Sequence, residues 1–357
     1  MRRAAVMLLL LPLLSLLLCG GASAVGQAEE QLPEDVREIC GAAGEDGRYD
    51  AEGALKRLAD SFVQKIEASL RAEVGSAASM AAIALAVSLA MTFCDGDTIK
   101  LYINATGVCD LALILIGRMD GIVNEIRETL YLLRDYSKAA VPAVFAAAAA
   151  SGAAVSAGAK YSAVCMALDV MMNTSHKLVI PLVNAYTALA VSVALFDNPV
   201  LEALKRTIKW CSVTLMTGLT LAFSAFIGIT GLVTGGLDAV AVKTARTVIS
   251  TTLPVVGSIV SDAASAVLSS AALIRNTAGA VGMIAVCALC AGPFAALLAK
   301  SLVIKAGSAV CAAVPGISLS RFLSDVGTAV NLLLGLLGCS AVMLFISLSS
   351  AIRTVGA

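Results

Sequence analysis

The chain has 357 residues, 59% of them hydrophobic and 14% charged, and its mean hydropathy of +0.91 lies outside the usual range of soluble domains, so the composition reads as a multi-spanning membrane protein. Its 25 basic and 25 acidic residues cancel, which leaves no basic surplus for nucleic acid or for a polybasic membrane patch. The single histidine, His176, gives almost no material for imidazole metal clusters or for Ser-His and Cys-His catalysis.

The N-terminus begins with Met1-Arg2-Arg3, continues as an apolar run from Leu8 to Leu18, and reaches Ala22-Ser23-Ala24. A basic, an apolar and a small-residue region in that order predict a signal peptide over 1–24, with the mature chain starting at Val25 outside the cytoplasm. Residues 25–75 then carry 12 Asp/Glu against 6 Lys/Arg, which suits an extracytoplasmic segment because positive charge resists translocation. From Glu52, the spacing of Leu55, Leu58, Ala59, Phe62, Ile66 and Leu70 predicts an amphipathic helix. It would lie on its own membrane domain or dock an extracytoplasmic partner.

The first span is expected within 76–100, over Ala77–Phe93, and a second over Leu101–Met119, which contains Asp110. Asp120–Lys138 alternates apolar and charged faces and reads as an interfacial helix or a connector on the soluble side. Ala139–Ala159 is built from Ala, Ser and Gly and interrupted by Pro142 and Gly152; alanine helices insert poorly alone, so protein neighbours should hold it. Tyr161–His176, with Asp169, reads as its companion, and Val179–Phe196, with Pro181 inside, as a span. Pro199–Trp210 sets Leu201, Leu204 and Ile208 against charged residues, and Lys205, Arg206, Lys209 and Trp210 are the expected interface anchor. Val213–Val233 is the clearest span. Val281–Ala299, broken at Gly292-Pro293, a weakly polar connector with Lys300, Lys305 and Arg321, and a last span over Leu332–Ile352 complete the chain. The ten cysteines predict no disulfide framework, and Cys287 with Cys290, which have metal-site spacing but no second pair, read as packing residues in an apolar run.

The stretch from Gly235 to Gly282 organises the rest. A helix over Leu237–Thr252 presents Val240, Ala241, Thr244, Ala245, Val248 and Ile249 on one face and Lys243, Arg246 and Ser250 on another, as an interfacial helix would. Pro254 cannot donate a backbone hydrogen bond and Gly257 tolerates unusual dihedrals, so the two are the expected hinge. The helix beyond carries Ser258, Ser261, Asp262, Ser265 and Ser269 as a polar stripe on an Ala/Val/Ile/Leu surface. Such a stripe allows close helix packing, or borders water with Asp262 as its costliest member; in an oligomer it can do both.

Val242-Lys243-Thr244-Ala245-Arg246, Leu253-Pro254-Val255-Val256-Gly257, Val260-Ser261-Asp262-Ala263 and Leu273-Ile274-Arg275-Asn276-Thr277-Ala278-Gly279, in this order, resemble the stage III sporulation protein AE family of endospore-forming bacteria. The layout of cleavable signal, acidic segment and Ala-rich polytopic body resembles that family over almost the whole mature chain. The resemblance implies a component of the channel apparatus between mother cell and engulfed forespore, in the mother-cell membrane around the forespore. It implies as partners the other products of the stage III sporulation A operon, including an ATPase, and a forespore membrane protein. Membrane lipid and further copies of the chain are also expected partners, and nucleic acid is not.

Pro142 and Pro181 are 39 residues apart, as are Pro254 and Pro293, and the two pairs are offset by 112. This spacing suggests a duplicated membrane unit, 101–211 and 212–325, closed by a C-terminal span in 326–357. The expected fold is therefore all-α, a polytopic helical membrane protein with proline-broken helices and an internal duplication. No nucleotide loop, catalytic carboxylate pair or zinc-protease motif is present, so the chain is not expected to be an enzyme or to need a cofactor. A conduit or assembly platform is the leading reading. A stand-alone secondary transporter using Asp110, Asp169 and Asp262 as buried carboxylates, or a purely structural scaffold, are the alternatives.

Overall fold

A computed structural model describes residues 33–40, 51–94, 96–149, 154–252, 257–312 and 317–353, with backbone alone for some of them, including 154–156, 231–252 and 257–276. The expected signal peptide lies outside the described residues. Among them the fold is all-helical: a short α1 (Glu34–Cys40) and six long helices, α2 (Ala51–Phe93), α3 (Asp97–Ala148), α4 (Ala154–Phe196), α5 (Pro199–Thr252), α6 (Gly257–Ala312) and α7 (Ile317–Arg353). All six are long and apolar enough to cross a membrane.

At 37 to 56 residues each, these helices run about 55 to 84 Å, whereas a hydrocarbon core is about 30 Å thick. The excess length has a visible origin. Segments expected to lie apart as interfacial helices are instead continuous with spans: Asp120–Lys138 is the middle of α3, and α5 carries Pro199–Trp210, the span after it and Leu237–Thr252 without a break. Leu, Arg, Glu and Lys are good helix formers, so a change from apolar to charged residues alters what the helix faces without ending it. Likewise the amphipathic segment after Glu52 and the first expected span form one helix, α2.

The prolines need a correction of the same kind. Pro142 and Pro293 lie inside α3 and α6 and do not end them, and Pro181 lies inside α4, within the span expected to contain it. Each removes one backbone donor, and neighbouring helices in a bundle tolerate that loss. Pro254 falls in 253–256, outside the described residues; α5 stops at Thr252 just before it and α6 starts at Gly257 just after.

α6 and α7 form the centre of the described bundle. More than half of the apolar window is buried in each of these two, against 17% in α5. α7 packs mainly along α6, α2 lies along α6, and α4 lies against α5. Phe322, Leu323, Leu333, Leu336, Leu297 and Phe223 are among the fully buried side chains. Small residues set the separations. A Cβ on Gly282 would meet Leu348 at 3.3 Å, and one on Gly307 would meet Met80 at 3.2 Å, so α6 approaches both α7 and α2 closely where it has no side chain. Leu113, Met166, Val200, Leu221 and Ile229 are instead exposed on the outer helices, an apolar surface suited to lipid or to other subunits.

Gly218 in α5 has open space where a side-chain methyl group would project. Gly218→Ala is expected to raise stability by about 0.5–1 kcal/mol, the helix-propensity difference, read as a later midpoint in a denaturing-detergent titration.

Candidate functional site

The corner between α4 and α5 is set by three residues. Asp197 takes a positive φ of 41°, a conformation Asp tolerates better than most side chains. Asn198 accepts a hydrogen bond from the Val200 amide through its side chain at 2.8 Å, capping α5, and Pro199 occupies the first helical position, where a missing N–H costs nothing. The corner then receives α7: Arg321 donates to Asp197 at 3.0 Å.

One turn further along α7, Asp325 faces the same side as Arg321, because residues four apart share a helix face. Its Oδ2 accepts a hydrogen bond from Lys205 Nζ at 2.6 Å and its Oδ1 accepts one from the Tyr186 hydroxyl at 3.2 Å. Lys205 is almost enclosed, with a side chain 5% exposed, and Tyr186 is fully buried. Glu202 lies one turn before Lys205 with an oxygen 2.8 Å from Nζ, near enough for an ion pair but without hydrogen-bond alignment. Lys205 and Asp325 are thus the pair that holds α5 to α7, Tyr186 brings in α4, and Glu202 adds charge at the half-exposed edge. A charge this far from water is tolerable only when paired.

Similar polar contacts tie the other helices. Arg118 of α3 meets Glu73 of α2 at 3.1 Å, and Lys300 of α6 meets Glu125 of α3 at 3.3 Å. Ser301 donates to Asn331 at 2.9 Å, Ser308 and Ser320 exchange hydrogen bonds at 3.1 Å, and Asn104 donates to Ser318. These are cross-helix contacts of the sort that fix register in a membrane bundle. No group of residues able to hold a metal ion occurs among the described residues.

The four residues of the expected interface anchor do not share one role. Lys205 turns inward to Asp325, whereas Arg206, Lys209 and Trp210 are exposed. Ser258, Ser261, Asp262, Ser265 and Ser269 fall on the first four turns of α6, and Gly257 is its first residue; their side chains, like Pro254, lie outside the described residues. Asp110 and Asp169 are exposed, not buried, and Asp169 is occupied by Arg134 at 2.6 Å, which corrects the expectation of buried transport carboxylates at those two positions. Tyr186 and Asp325 were not legible as site residues. The only sequence signals are the four-residue spacing from Arg321 to Asp325 and the three-residue spacing from Glu202 to Lys205, and neither reveals a partner 120 residues away.

A family model for stage III sporulation protein AE matches residues 37–354, the whole helical body. The chain belongs to that family. Stage III sporulation protein AE of Bacillus subtilis (strain 168) is 22% identical over 243 residues, covering 67% of this chain and 60% of that relative's length. No solved structure matches the chain. The family match begins in α1 and ends after the last turn of α7, so the Lys205–Asp325 pair and the Asp262 stripe both lie within it.

Proposed function

We propose that this protein is an integral-membrane component of the mother cell–forespore channel apparatus, built as an assembly platform. The observation that carries this reading is the family match over 37–354. Helices longer than a bilayer is thick support it physically, since they offer ordered surface beyond the lipid for the operon's ATPase, its other products and the forespore membrane partner. Its place is then the mother-cell membrane around the forespore, in several copies. A conduit, if water crosses this assembly, runs along the stripe of Ser258, Ser261, Asp262, Ser265 and Ser269, with Pro254 and Gly257 as its hinge and Arg206, Lys209 and Trp210 as outer anchors. The described centre supports that placement, because Phe322, Leu333 and Leu336 fill it with apolar side chains. A stand-alone transporter is the weaker reading, because Asp110 and Asp169 are exposed.

The test is made in the native spore former. Deleting the gene should arrest forespore development, and the wild-type chain should restore it; unimpaired development without the gene rejects the reading outright. Asp262→Leu should leave abundance and co-purification with the operon partners unchanged while heat-resistant spores fall by orders of magnitude. Collapse of the complex instead would make the stripe a packing surface, and normal sporulation would remove Asp262 from the mechanism.

A further inference from the structure

A cavity of about 390 Å³ opens between α3 and α4, lined by Tyr131, Arg134, Asn173, His176 and Lys177. That volume is within the range of small-ligand sites. Its lining is cationic: Arg134 and Lys177 border it, and Arg127 lies beside His176 with them. The carboxylate against this group is Asp169, which Arg134 engages through Nε at 2.9 Å and Nη2 at 2.6 Å. Among the described residues no carboxylate pairs with Arg127 or Lys177, so the cavity retains net positive charge.

Two polar atoms here have no protein partner. Arg127 Nε and His176 Nε2 are both buried and make no hydrogen bond. A guanidinium N–H has no alternative to donating, and a buried donor left without an acceptor is costly, so an acceptor belongs beside Arg127, next to the His176 side of the cavity. The Tyr131 ring lies 5.1 Å from the His176 ring and supports it from one side. Arg forks, a Lys ammonium, an Asn amide and an imidazole together suit a tetrahedral oxyanion, with several oxygens to accept from donors on different sides.

The position adds a second argument. Lys177 is followed directly by the apolar run from Leu178 to Phe196, and Arg127 and Arg134 follow the apolar run that ends at Gly117. α3 therefore passes from apolar to charged near this cavity, and on α4 Asn173, His176 and Lys177 interrupt an otherwise apolar helix at the same place, as residues that meet the headgroup layer do in membrane proteins.

We propose that the α3–α4 cavity binds a phosphate-bearing anion, supplied by an anionic phospholipid headgroup or by a free phosphate compound. The two sources share the chemistry and differ in how they reach the site. The full chain is reconstituted in nanodiscs of phosphatidylcholine, or of an equal mixture of phosphatidylcholine and phosphatidylglycerol, and its melting midpoint is measured with and without added inorganic phosphate. Wild type should melt later with phosphatidylglycerol if lipid is the source, or later with inorganic phosphate in phosphatidylcholine if a free anion is. Arg127→Gln with Lys177→Gln should weaken the effective ligand by about tenfold or more, as loss of charged hydrogen bonds does. Arg71→Gln, which removes an exposed arginine paired with Glu67 on α2, away from this cavity, should leave the response intact. Lys177 is exposed, so Lys177→Gln alone folds normally and decides the matter if the double variant does not. A wild type that responds to neither anion overturns the proposal, as does a response that Arg71→Gln abolishes as fully as Lys177→Gln.

Discussion

Replacing Lys205 with Met should destabilise the bundle by about 3 kcal/mol, the loss expected when one member of a buried ion pair is removed and its partner stays behind. Asp325 is 16% exposed and would keep only the Tyr186 hydroxyl at 3.2 Å, a single neutral donor for a carboxylate that now has Lys205 Nζ at 2.6 Å. Asp325→Leu should cost about as much for the converse reason, since Glu202 is close to Nζ but not aligned to accept from it. The pair together should cost less than the sum. Lys205→Met with Asp325→Leu leaves neither charge behind and substitutes side chains of similar bulk, so a coupling of about 1.5 kcal/mol or more is expected in a double-mutant cycle. Glu202→Gln should change stability by less than about 1 kcal/mol, because its side chain is 34% exposed and its oxygen beside Lys205 makes no aligned hydrogen bond to lose. Midpoints from denaturing-detergent titration in mixed micelles give all four values. Equal, additive losses at Lys205 and Asp325 would mean the two side chains do not depend on one another, and the link between α5 and α7 would have to be sought in the apolar packing around Met216 and Gly335.

This pair also marks how far sequence reasoning reaches. The helices themselves were legible: runs such as Val213–Val233 and Leu332–Ile352 are long, apolar and free of charge, and both lie in span-capable helices. What misled was charge. At Asp120–Lys138 and Pro199–Trp210 the apolar pattern lapses, which reads as a helix leaving the membrane to lie in its surface. In the fold those charges are answered by residues far along the chain, Glu125 by Lys300 and Lys205 by Asp325, so the helix continues straight through. A local pattern carries no trace of such partners. Two prolines failed in the same way: at Pro142 and Pro293 tertiary packing overrides a strong local signal, since both sit among buried residues of α3 and α6 that neighbouring helices hold in place. The cavity lined by Arg134 and His176 was illegible for a simpler reason, because a lone histidine and scattered arginines acquire meaning only when α3 and α4 bring them together.

Gly107→Ala should lower stability by about 2 kcal/mol, even though alanine is the better helix former by about 1 kcal/mol. The added methyl would lie 2.5 Å from Val87 Cγ2, and Leu319 Cδ1 closes the same space at 3.5 Å, so α2, α3 and α7 meet at a point with no room for it. Val87 cannot easily move aside: a β-branched side chain in a helix has one strongly preferred rotamer, and a shift must be taken up by the backbone of α2. The Asn104 contact to Ser318 is one turn away on the same helix pair, so opening this contact also strains a polar link. Val87→Ala removes the methyl group in the way, which makes the two positions a test of each other. Alone it should cost about 1 kcal/mol in lost packing. Combined with Gly107→Ala it should be no worse than Val87→Ala by itself, because the new alanine methyl fills the space the valine vacates. A double variant as unstable as the two losses added together would place the intolerance to alanine somewhere other than the Val87 contact, and the close approach of α2 to α3 would no longer account for the glycine.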